Sequence, residues 1–284
     1  MELVSVVILT MGDRPQELSS AINSIREQKG VLTEVVLVIN GGTAEPDLGD
    51  VLIEPKVNLG IPGGRNAGLM EANAEYVLFL DDDAILANEN ILLDAIRHMK
   101  SDTNLAVLAL HIFDEDKKVN RRHHPRLRLR PEIPGYVTSF PGGASFVRKT
   151  ALKEIGSFCK DFFYGLEETD LAWRLYDSGW RIKYCPELKV FHPRTTPQRH
   201  RSFYFNTARN RVWLSQRQLP LILSFFYVSI WLSISIGRNI FRLDACKAIV
   251  LGTIDGVRSK RTERSPISWR TVIELSRLGR PPII

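Results

Sequence analysis

Three consecutive aspartates follow an apolar run and offer oxygen ligands for a cation. Residues 76–80 (YVLFL) are typical of a buried strand, and Asp81, Asp82 and Asp83 come directly after it. Carboxylates that are held close together repel one another, so a divalent cation is a natural means of keeping them in a crevice. Oxygen ligands of this kind favour Mg²⁺ or Mn²⁺. An acidic loop that faces water is the alternative interpretation of these residues alone.

A second segment combines glycines with an arginine, whose side chain can bind anions. Residues 58–68 (NLGIPGGRNAG) contain four glycines, and they include Asn58, Gly60 and Arg65. Glycine lets the backbone approach a ligand closely, and the arginine guanidinium matches a phosphate or a carboxylate. We expect the segment to lead into a helix over 66–73, whose N-terminus favours anions. A glycine-rich turn with a surface arginine is the alternative.

A third group of polar residues opens a helix that is predicted over 167–178. Glu167, Glu168 and Asp170 lie in its first turn, where acidic side chains also stabilise the helix dipole. Clustered carboxylates raise one another's pKa, which suits one of them to act as a general base. His192 follows a strand-like run and precedes a proline. A histidine at a strand end near carboxylates is a candidate metal ligand, although a lone histidine is more often structural.

The elements that must position these groups alternate between strands and helices. Apolar, β-branched runs alternate with amphipathic segments, which favours βαβ units and a mostly parallel sheet flanked by helices. The strand-like runs are residues 4–10, 34–39, 76–80 and 105–112. In such α/β sheets, ligands bind at the carboxyl ends of the strands. Three polar clusters fall there, namely Thr10–Arg14, Asn40–Gly42 and Asp81–Asp83.

The composition excludes several classes of protein. The 284 residues are 44% hydrophobic and 25% charged, so the chain is neither a disordered segment nor a fibre. The three cysteines (Cys159, Cys185 and Cys246) are widely spaced, which indicates reduced thiols rather than a disulfide or zinc framework. The net charge of +6 is uneven, because the part up to Pro193 is acidic and the remainder is basic. A basic tail predicts contact with anionic lipid headgroups or with nucleic acid.

One long uncharged segment lies within the basic tail. Residues 219–236 (LPLILSFFYVSIWLSISI) have the length of a marginal transmembrane helix, but Pro220 and four serines weaken it. We expect a helix that lies in the membrane interface or packs in a homodimer, with Tyr227 and Trp231 at the level of the headgroups. An ordinary buried helix is the alternative. No export signal is visible before the first strand, so we expect a cytoplasmic protein that is peripheral on the inner face of the cell membrane.

Taken in order, these motifs resemble glycosyltransferase family 2, whose members have the Rossmann-like GT-A fold. The matching pieces cover roughly residues 4–200, and they are VVILT at 6–10, N-x-G-x-x-x-G-R-N-x-G at 58–68, Asp81–Asp83, GGASFVRK at 142–149, EETDL at 167–171 and VFH at 190–192. The tail is similar to that of an actinobacterial-type group within the family. The resemblance implies a nucleotide-sugar transferase domain over 1–200. It also implies a basic helical region over 201–284, which is membrane-associated or dimerising.

The resemblance further implies an inverting, divalent-metal-dependent glycosyltransferase. Asp81 and Asp83 would hold Mg²⁺ or Mn²⁺ on the diphosphate of the donor, and His192 would complete or support that site. Glu168 would be the general base that deprotonates the acceptor hydroxyl. Glu167 and Asp170 are its acidic neighbours in the motif.

The substrates are implied in the same way. The residues that would bind the nucleotide-sugar donor are Thr10, Arg14, Asn40, Asn58, Gly60, Arg65, Asp81, Asp82, Gly143 and Ala144. The acceptor would be a carbohydrate that is lipid-linked or part of a cell-envelope glycan.

Two departures from the family pattern bear on the substrates. Many members that use UDP-sugars have an aspartate before the Asn-Gly pair that ends the second strand, and Ile39 stands there instead. This weakens the expectation of a UDP donor and leaves dTDP and GDP open. The segment 198–202 lacks the tryptophan of the Q-x-x-R-W motif of processive synthases, so we expect no polymerisation. His200 and Arg201 remain candidate contacts to the diphosphate.

Two other classes of function stay open at this point. A basic nucleic-acid-binding protein is favoured by the sequence pI of about 9.3 and by the arginine-rich stretch 121–130, but aromatic residues do not interleave the basic run. A nucleotide-sugar-binding protein without catalysis is disfavoured by the intact acidic groups at 81–83 and 167–170. We therefore expect no nucleic-acid partner.

Overall fold

The structure is a computed structural model, and it describes most of the chain. The described residues are 1–42, 48–119, 125, 130–194, 202–259 and 263–283. Most of the arginine-rich stretch 121–130 and all of residues 198–201 lie outside them. The predictions made for those two segments therefore stay predictions.

Within the described part of the chain, nine strands form one mixed sheet. The strands are β1 (Glu2–Thr10), β2 (Val31–Ile39), β3 (Val51–Ile53), β4 (Tyr76–Asp81), β5 (Ile85–Leu86), β6 (Leu105–Phe113), β7 (Gly135–Tyr136), β8 (Ala144–Arg148) and β9 (Arg181–Phe191). Their order is β3-β2-β1-β4-β8-β6-β9-β5, and β7 pairs with β9.

Helices flank this sheet, so the predicted α/β fold class is confirmed. The helices in the described ranges are α1 (Pro15–Arg26), α2 (Gly60–Glu71), α3 (Ile91–Ser101), α4 (Lys149–Ile155), α5 (Glu167–Asp177), α6 (Phe203–Gln218), α7 (Leu221–Arg238), α8 (Leu243–Arg258) and α9 (Trp269–Arg277). Successive side chains of β1 point to opposite faces of the sheet and separate two hydrophobic clusters. Val6 and Ile8 pack in one cluster with α1 and α3, and Val7 packs in the other with α2, α5 and the C-terminal helices.

The N-terminal half of the sheet is parallel, as the strand–helix alternation predicts. β1 pairs in parallel with both β2 and β4, and β2 pairs in parallel with β3. Thr10 lies opposite Ile39, and Leu9 lies opposite Asp81, so the three longer strands end at the same edge. The polar clusters predicted for that edge are therefore brought together.

The other half of the sheet is mixed, so the mostly parallel arrangement holds only for β1 to β4. β8 lies between β4 and β6 and is antiparallel to both. β6 and β9 are parallel, whereas β5 and β7 are antiparallel to β9. A short apolar run does not specify its partner or its direction, and for this reason the sequence did not predict β8. Its insertion puts Gly143 beside the end of β4, where the carbonyl of Gly143 accepts a 2.9 Å hydrogen bond from the backbone N–H of Asp81.

Helix α2 begins at Gly60, which corrects the predicted helix over 66–73. Gly64 and Gly68 face β1, and a Cβ atom on either of them would clash with side chains of that strand. These two glycines let the helix approach the sheet closely. The predicted contacts of the segment to an anionic ligand stay predictions.

The C-terminal helices add to the core of the sheet. Trp213, Leu219, Ile267 and Leu275 belong to the same buried cluster as the apolar residues of α5. Helix α6 packs on α5, α7 and α8, and α9 packs on α5. Residues from both predicted regions thus contribute to one hydrophobic cluster.

Helix α7 carries the uncharged segment and buries little of it. Among the described residues, this one helix is long and apolar enough to cross a membrane, by length and composition only. Leu221 and Phe225 are 77% and 69% exposed, so the alternative of an ordinary buried helix is wrong. Tyr227 is only 3% exposed and packs edge-to-face on Trp173, with Trp231 beside it. The prediction that Tyr227 faces lipid headgroups is wrong, because its ring fills the core.

Candidate active site

The ends of β4 and β9 bring three candidate metal ligands together. Asp81 is the last residue of β4, Asp83 lies in the turn that follows, and His192 comes directly after β9. One ligand atom from each residue lies within 4.8 Å of the others. The Nε2 atom of His192 is 3.5 Å from Oδ2 of Asp81 and 3.3 Å from Oδ1 of Asp83. Burial opposes protonation of His192, but the two carboxylates outweigh it and raise its pKa to about 8.

The chemistry of this cluster fits a divalent cation. Its carboxylates are the oxygen ligands that Mg²⁺ and Mn²⁺ take in proteins. Asp83 is 5% exposed, and its Oδ1 atom is buried and accepts no hydrogen bond in the described structure. The Nε2 atom of His192 lies 3.3 Å from this oxygen without forming a hydrogen bond to it, and a cation at the cluster would satisfy the oxygen.

The middle aspartate of the triplet has a different environment. Asp82 is 2% exposed, its Oδ2 accepts a 2.7 Å hydrogen bond from Oγ1 of Thr10, and its Oδ1 lies 2.5 Å from Nη2 of Arg14. Burial raises the pKa of Asp82 to about 6, against the effects of these two partners. Arg14 also forms an ion pair with Asp83. Thr10 and Arg14 therefore hold the acidic triplet in place from the end of β1.

Arg65 connects the candidate metal ligands to the acidic residues of α5. Its side chain is buried, and its Nη2 lies 3.5 Å from Oδ1 of Asp81. Its Nη1 lies 3.1 Å from Oε1 of Glu168 and 3.7 Å from Oε1 of Glu167. Burial opposes the charge of Arg65, but the three carboxylates outweigh it and keep the pKa of Arg65 above its ordinary value. The alternative of a surface arginine is therefore wrong.

The two adjacent glutamates of α5 differ in their exposure. Glu167 is 1% exposed, and burial raises its pKa to about 8, with the charge of Glu168 adding to the shift. The side chain of Glu168 is 23% exposed. A carboxylate must come within hydrogen-bond reach of a hydroxyl to accept its proton, and Glu168 is the more accessible of the pair.

Asp170, which the sequence groups with these glutamates, pairs with side chains outside the pocket. Its side chain is fully buried, and its Oδ2 lies 2.8 Å from Nη2 of Arg174. Its Oδ1 accepts hydrogen bonds of 2.9 Å from Nε of Arg217 and 2.7 Å from Nε2 of Gln218. These contacts tie α5 to α6. The predicted place of Asp170 in the catalytic group is wrong, because its carboxylate is occupied by three side chains outside the pocket.

The loop before α5 has an unusual backbone conformation. Phe163, Gly165 and Leu166 have positive φ values of 59°, 83° and 74°. The side-chain nitrogen of Asn210 in α6 lies 2.8 to 2.9 Å from three carbonyl oxygens of residues 162–165, which share its two N–H groups. Residues other than glycine are strained at positive φ and persist there when surrounding contacts hold them. Asn210 therefore fixes the loop that presents the glutamates of α5.

A pocket of about 390 Å³ lies between the candidate metal ligand Asp81 and the start of α5. Its wall includes Asp81, Arg65 and Glu168, and another part of it is formed by Gly142 and Gly143. A Cβ atom on Gly143 would collide with the carboxylate of Asp81, and one on Gly142 would collide with the guanidinium of Arg65. Both positions therefore need glycine if the charged groups are to keep their places.

Several residues that were predicted to bind the nucleotide-sugar donor do not form the wall of this pocket. The side-chain amide of Asn40 donates to the carbonyl of Gly60 at 3.1 Å and to Oδ1 of Asn58 at 3.2 Å. Its Oδ1 accepts a 2.8 Å hydrogen bond from the backbone N–H of Leu59. Ala144 is fully buried in β8. These residues connect strand ends to loops, and their contacts to a donor stay predictions.

Most residues of the pocket wall were not identified as site residues from the sequence, and Gly142, Tyr164 and Arg280 are among them. The paired glycines that open the GGASFVRK motif are a signal for Gly142. The sequence could not assign Arg280 to the pocket, because Arg280 meets the wall only through tertiary contacts such as its 2.9 Å hydrogen bond to Ser139.

The mixed sheet, with an acidic cluster at the end of β4, is typical of the GT-A fold class. A family model described as glycosyl transferase family 2 matches residues 5–156, which is more than half of the chain. The chain therefore belongs to glycosyl transferase family 2, as the motifs predicted.

A mycobacterial protein is similar over most of the chain. The pre-mycofactocin glycosyltransferase of Mycobacterium tuberculosis is 26% identical over 282 residues, which cover 91% of this chain and 57% of that protein. The chain thus spans little more than half the length of this curated relative. The mycobacterial match agrees with the predicted actinobacterial-type resemblance.

Solved structures of other glycosyltransferases share the fold. A Staphylococcus aureus TarS fragment in complex with UDP-GlcNAc has a TM-score of 0.63 at 16% identity, covering 96% of this chain and 83% of that one. The mannosyltransferase PcManGT from Pyrobaculum calidifontis, in complex with GDP-Man and Mn²⁺, has a TM-score of 0.57 at 16% identity, covering 96% of this chain and 78% of that one. At these identities the likeness shows the fold alone.

Proposed function

We propose that the chain is an inverting glycosyltransferase that needs a divalent cation and transfers a sugar from a nucleotide-sugar donor to an acceptor hydroxyl. One observation carries this proposal, namely that Asp81 of the metal cluster and Glu168 of α5 line the same pocket. An inverting displacement needs a leaving group and a base on opposite sides of the reacting carbon. A pocket whose wall contains both a candidate metal ligand and an accessible carboxylate supports this proposal.

The proposed metal ligands are Asp81, Asp83 and His192, for Mg²⁺ or Mn²⁺. When bound, such a cation neutralises the negative charge that develops on the departing nucleoside diphosphate. The buried Oδ1 atom of Asp83, which accepts no hydrogen bond in the described structure, supports the assignment. Gly143 contributes by leaving space for the carboxylate of Asp81.

Glu168 is the proposed general base. Its carboxylate accepts the proton of the acceptor hydroxyl, whose oxygen attacks the anomeric carbon while the bond from that carbon to the diphosphate oxygen breaks. A single displacement inverts the configuration at that carbon. Arg65 orients Glu168 through the 3.1 Å hydrogen bond. Glu167, whose pKa is about 8, stays mainly protonated at neutral pH and adds little negative charge beside the base.

The proposed donor carries UDP, dTDP or GDP. Ile39 is 1% exposed within β2, so its side chain offers no polar contact to a base. The solved TarS complex contains UDP-GlcNAc and the mannosyltransferase complex contains GDP-Man, so both nucleotides stay within the proposal. The residues proposed to surround the donor are Thr10, Arg14, Asn40, Asn58, Gly60, Arg65, Asp81, Asp82, Gly143 and Ala144.

The proposed acceptor is a lipid-linked or cell-envelope carbohydrate, and the proposed location is the cytoplasmic face of the membrane. Residues 1–200 would carry out the transfer, and residues 201–284 would provide the contact to the membrane. Exposed apolar side chains support this, since Phe241 and Leu243 are 97% and 81% exposed next to the exposed face of α7. Apolar side chains flanked by arginines suit the interface of an anionic bilayer.

The membrane proposal is tested by sedimentation with vesicles. Binding to vesicles that contain phosphatidylglycerol, and its loss in Phe241→Asp, would support the proposal. Formation of a homodimer that Phe241→Asp disrupts, without vesicle binding, would assign the exposed face to a second copy of the chain instead.

The transfer proposal is tested by the melting temperature of the protein with UDP, GDP or dTDP, each in Mn²⁺, Mg²⁺ or EDTA. A ligand that binds the native state raises the melting temperature. We expect one nucleotide to raise it in the presence of a divalent cation and not in EDTA. The absence of a shift with every combination, repeated with the corresponding nucleotide sugars, would contradict the proposal.

A further inference from the structure

A second, smaller cavity adjoins the pocket of the candidate active site. Its volume is about 40 Å³, which exceeds the roughly 10–15 Å³ that one water molecule needs. Ser139, Leu166 and Arg280 belong to the walls of both cavities. A group bound in the smaller cavity therefore lies next to the place of sugar transfer.

Two arginines line this cavity without an acidic partner in the described parts of the chain. Nη1 of Arg211 donates to the hydroxyl of Tyr227 at 3.3 Å, and Nη1 of Arg280 donates to Oγ of Ser139 at 2.9 Å. Burial lowers the pKa of both arginines, and the charge of Arg211 adds to the shift at Arg280. The described wall of the cavity contains no aspartate or glutamate. Two positive charges thus face one small space with only neutral partners.

The same wall carries buried polar atoms that have no hydrogen-bond partner in the described structure. They are Nε of Arg211, Nε1 of Trp231 and Oγ1 of Thr138. The two nitrogens can only donate, and the hydroxyl can also donate. The guanidinium of Arg211 stacks 3.5 Å from the centre of the Trp231 ring, which holds both donors in place. A buried donor without an acceptor is destabilising, so this wall is suited to an acceptor that the described chain does not supply.

We propose that the smaller cavity is a subsite for an oxyanion, a carboxylate or a phosphate, carried by the acceptor of the transfer reaction. Arg211 and Arg280 supply the charge, and Thr138, Ser139 and Trp231 supply neutral donors. Charge-assisted hydrogen bonds of this kind are the strong ones in proteins. An acceptor that places its anionic group here can place a hydroxyl near Glu168 in the adjoining pocket. The assignment to the acceptor rests on the proposed function, whereas the anion site can be measured without turnover.

The test measures the melting temperature of the whole chain in EDTA, which prevents phosphate from binding through a metal ion. The probes are inorganic phosphate, acetate, glucose 6-phosphate and glucuronate, with glucose as the uncharged comparison. A ligand of the native state raises the melting temperature in a saturable way. We expect glucose 6-phosphate to raise the melting temperature at a lower concentration than inorganic phosphate does, or glucuronate to raise it at a lower concentration than acetate does. Glucose should have no effect.

Three variants separate this site from general charge effects. Arg280→Gln and Arg211→Gln remove one of the two charges each, and Arg277→Gln changes an exposed arginine of α9 as a matched control. We expect the apparent affinity for the probe to fall at least about tenfold in the first two and to stay unchanged in the control. Without a probe, Arg280→Gln should melt no lower than the wild type, because an uncompensated charge has been removed.

Four outcomes decide the proposal. Loss of the shift in Arg280→Gln and Arg211→Gln alone supports it. An equal shift in all three variants overturns it, and so does the absence of a shift with every probe. A shift with inorganic phosphate or acetate but with neither sugar-borne anion overturns the assignment to the acceptor. Failure of the proposed function appears separately, as the absence of a metal-dependent shift with nucleotides in the wild type.

Discussion

Nη1 of Arg65 donates a 3.1 Å hydrogen bond to Oε1 of Glu168, and this bond joins two elements that are far apart in the sequence. Arg65 lies on α2, which the glycines hold close to β1, and Glu168 opens α5. The other terminal nitrogen of Arg65 lies 3.5 Å from Asp81. One buried cation therefore aligns the proposed base with a proposed metal ligand.

Replacing the proposed base is expected to stop transfer and leave donor binding intact. Glu168→Gln keeps the shape of the side chain but cannot accept the proton, so turnover of the nucleotide sugar should fall by roughly 10²–10⁴-fold. The nucleotide-dependent rise in melting temperature should remain. Glu17→Gln, which changes an exposed glutamate in the first turn of α1, is the matched control and should keep full turnover. Normal turnover in Glu168→Gln would move the role of base to Glu167.

The acidic cluster predicts a measurable affinity for Mn²⁺. Asp83→Asn removes one charged oxygen ligand, so the affinity should fall about tenfold or more, as measured by the electron paramagnetic resonance signal of free Mn²⁺. Asp94→Asn is the control, because Asp94 is a partly exposed residue of α3 that pairs with Arg97. Equal Mn²⁺ binding in the two variants would remove Asp83 from the metal site.

A single methyl group at Gly143 is expected to disturb the site. A Cβ atom there collides with the carboxylate of Asp81, so Gly143→Ala should lower the free energy of unfolding by about 1–3 kcal/mol and weaken Mn²⁺ binding. Gly237→Ala in α7 is the control, since no atom lies within 4 Å of its added Cβ. That variant should be as stable as the wild type or more stable by up to about 1 kcal/mol. Denaturant unfolding measures the free energy of unfolding of both variants. An unchanged value for Gly143→Ala would show that the end of β4 can relax to make room for the methyl group.

The buried glutamate of α5 predicts a pH dependence of stability. Burial raises the pKa of Glu167 to about 8 in the folded chain, against an ordinary value of 4.5. The folded state therefore holds this proton over a range in which the unfolded chain has lost it. The stabilising contribution is complete below pH 4.5 and is lost as the pH rises through about 8.

We expect the free energy of unfolding of the wild type to fall relative to that of Glu167→Gln between about pH 5 and pH 8. Urea denaturation in EDTA at several pH values measures the difference, and Glu17→Gln serves again as the control without a slope. A difference that is constant or that rises with pH would mean that Glu167 is ionised in the folded state.

The chemistry of the site was largely predictable because it depends on local patterns. A buried strand that ends in three aspartates places them at the ligand-binding edge of an α/β sheet. The start of α2 was predicted at residue 66 but lies at Gly60, because glycine is a poor helix former and obscures the start of a helix. In the folded protein, close packing of Gly64 and Gly68 on β1 outweighs that preference.

By itself the sequence determined the strands of the parallel half, the helix with an acidic first turn, the identity of the candidate metal ligands and the family. These features act over a few residues, through periodicity and side-chain chemistry. Only the tertiary structure decided that Glu168 faces the pocket while Asp170 pairs with arginines, and that Arg65 bridges the site. It also decided that β8 is antiparallel and that Arg280 reaches the pocket wall. Each of these depends on contacts between distant segments, and no local pattern encodes the geometry of such contacts.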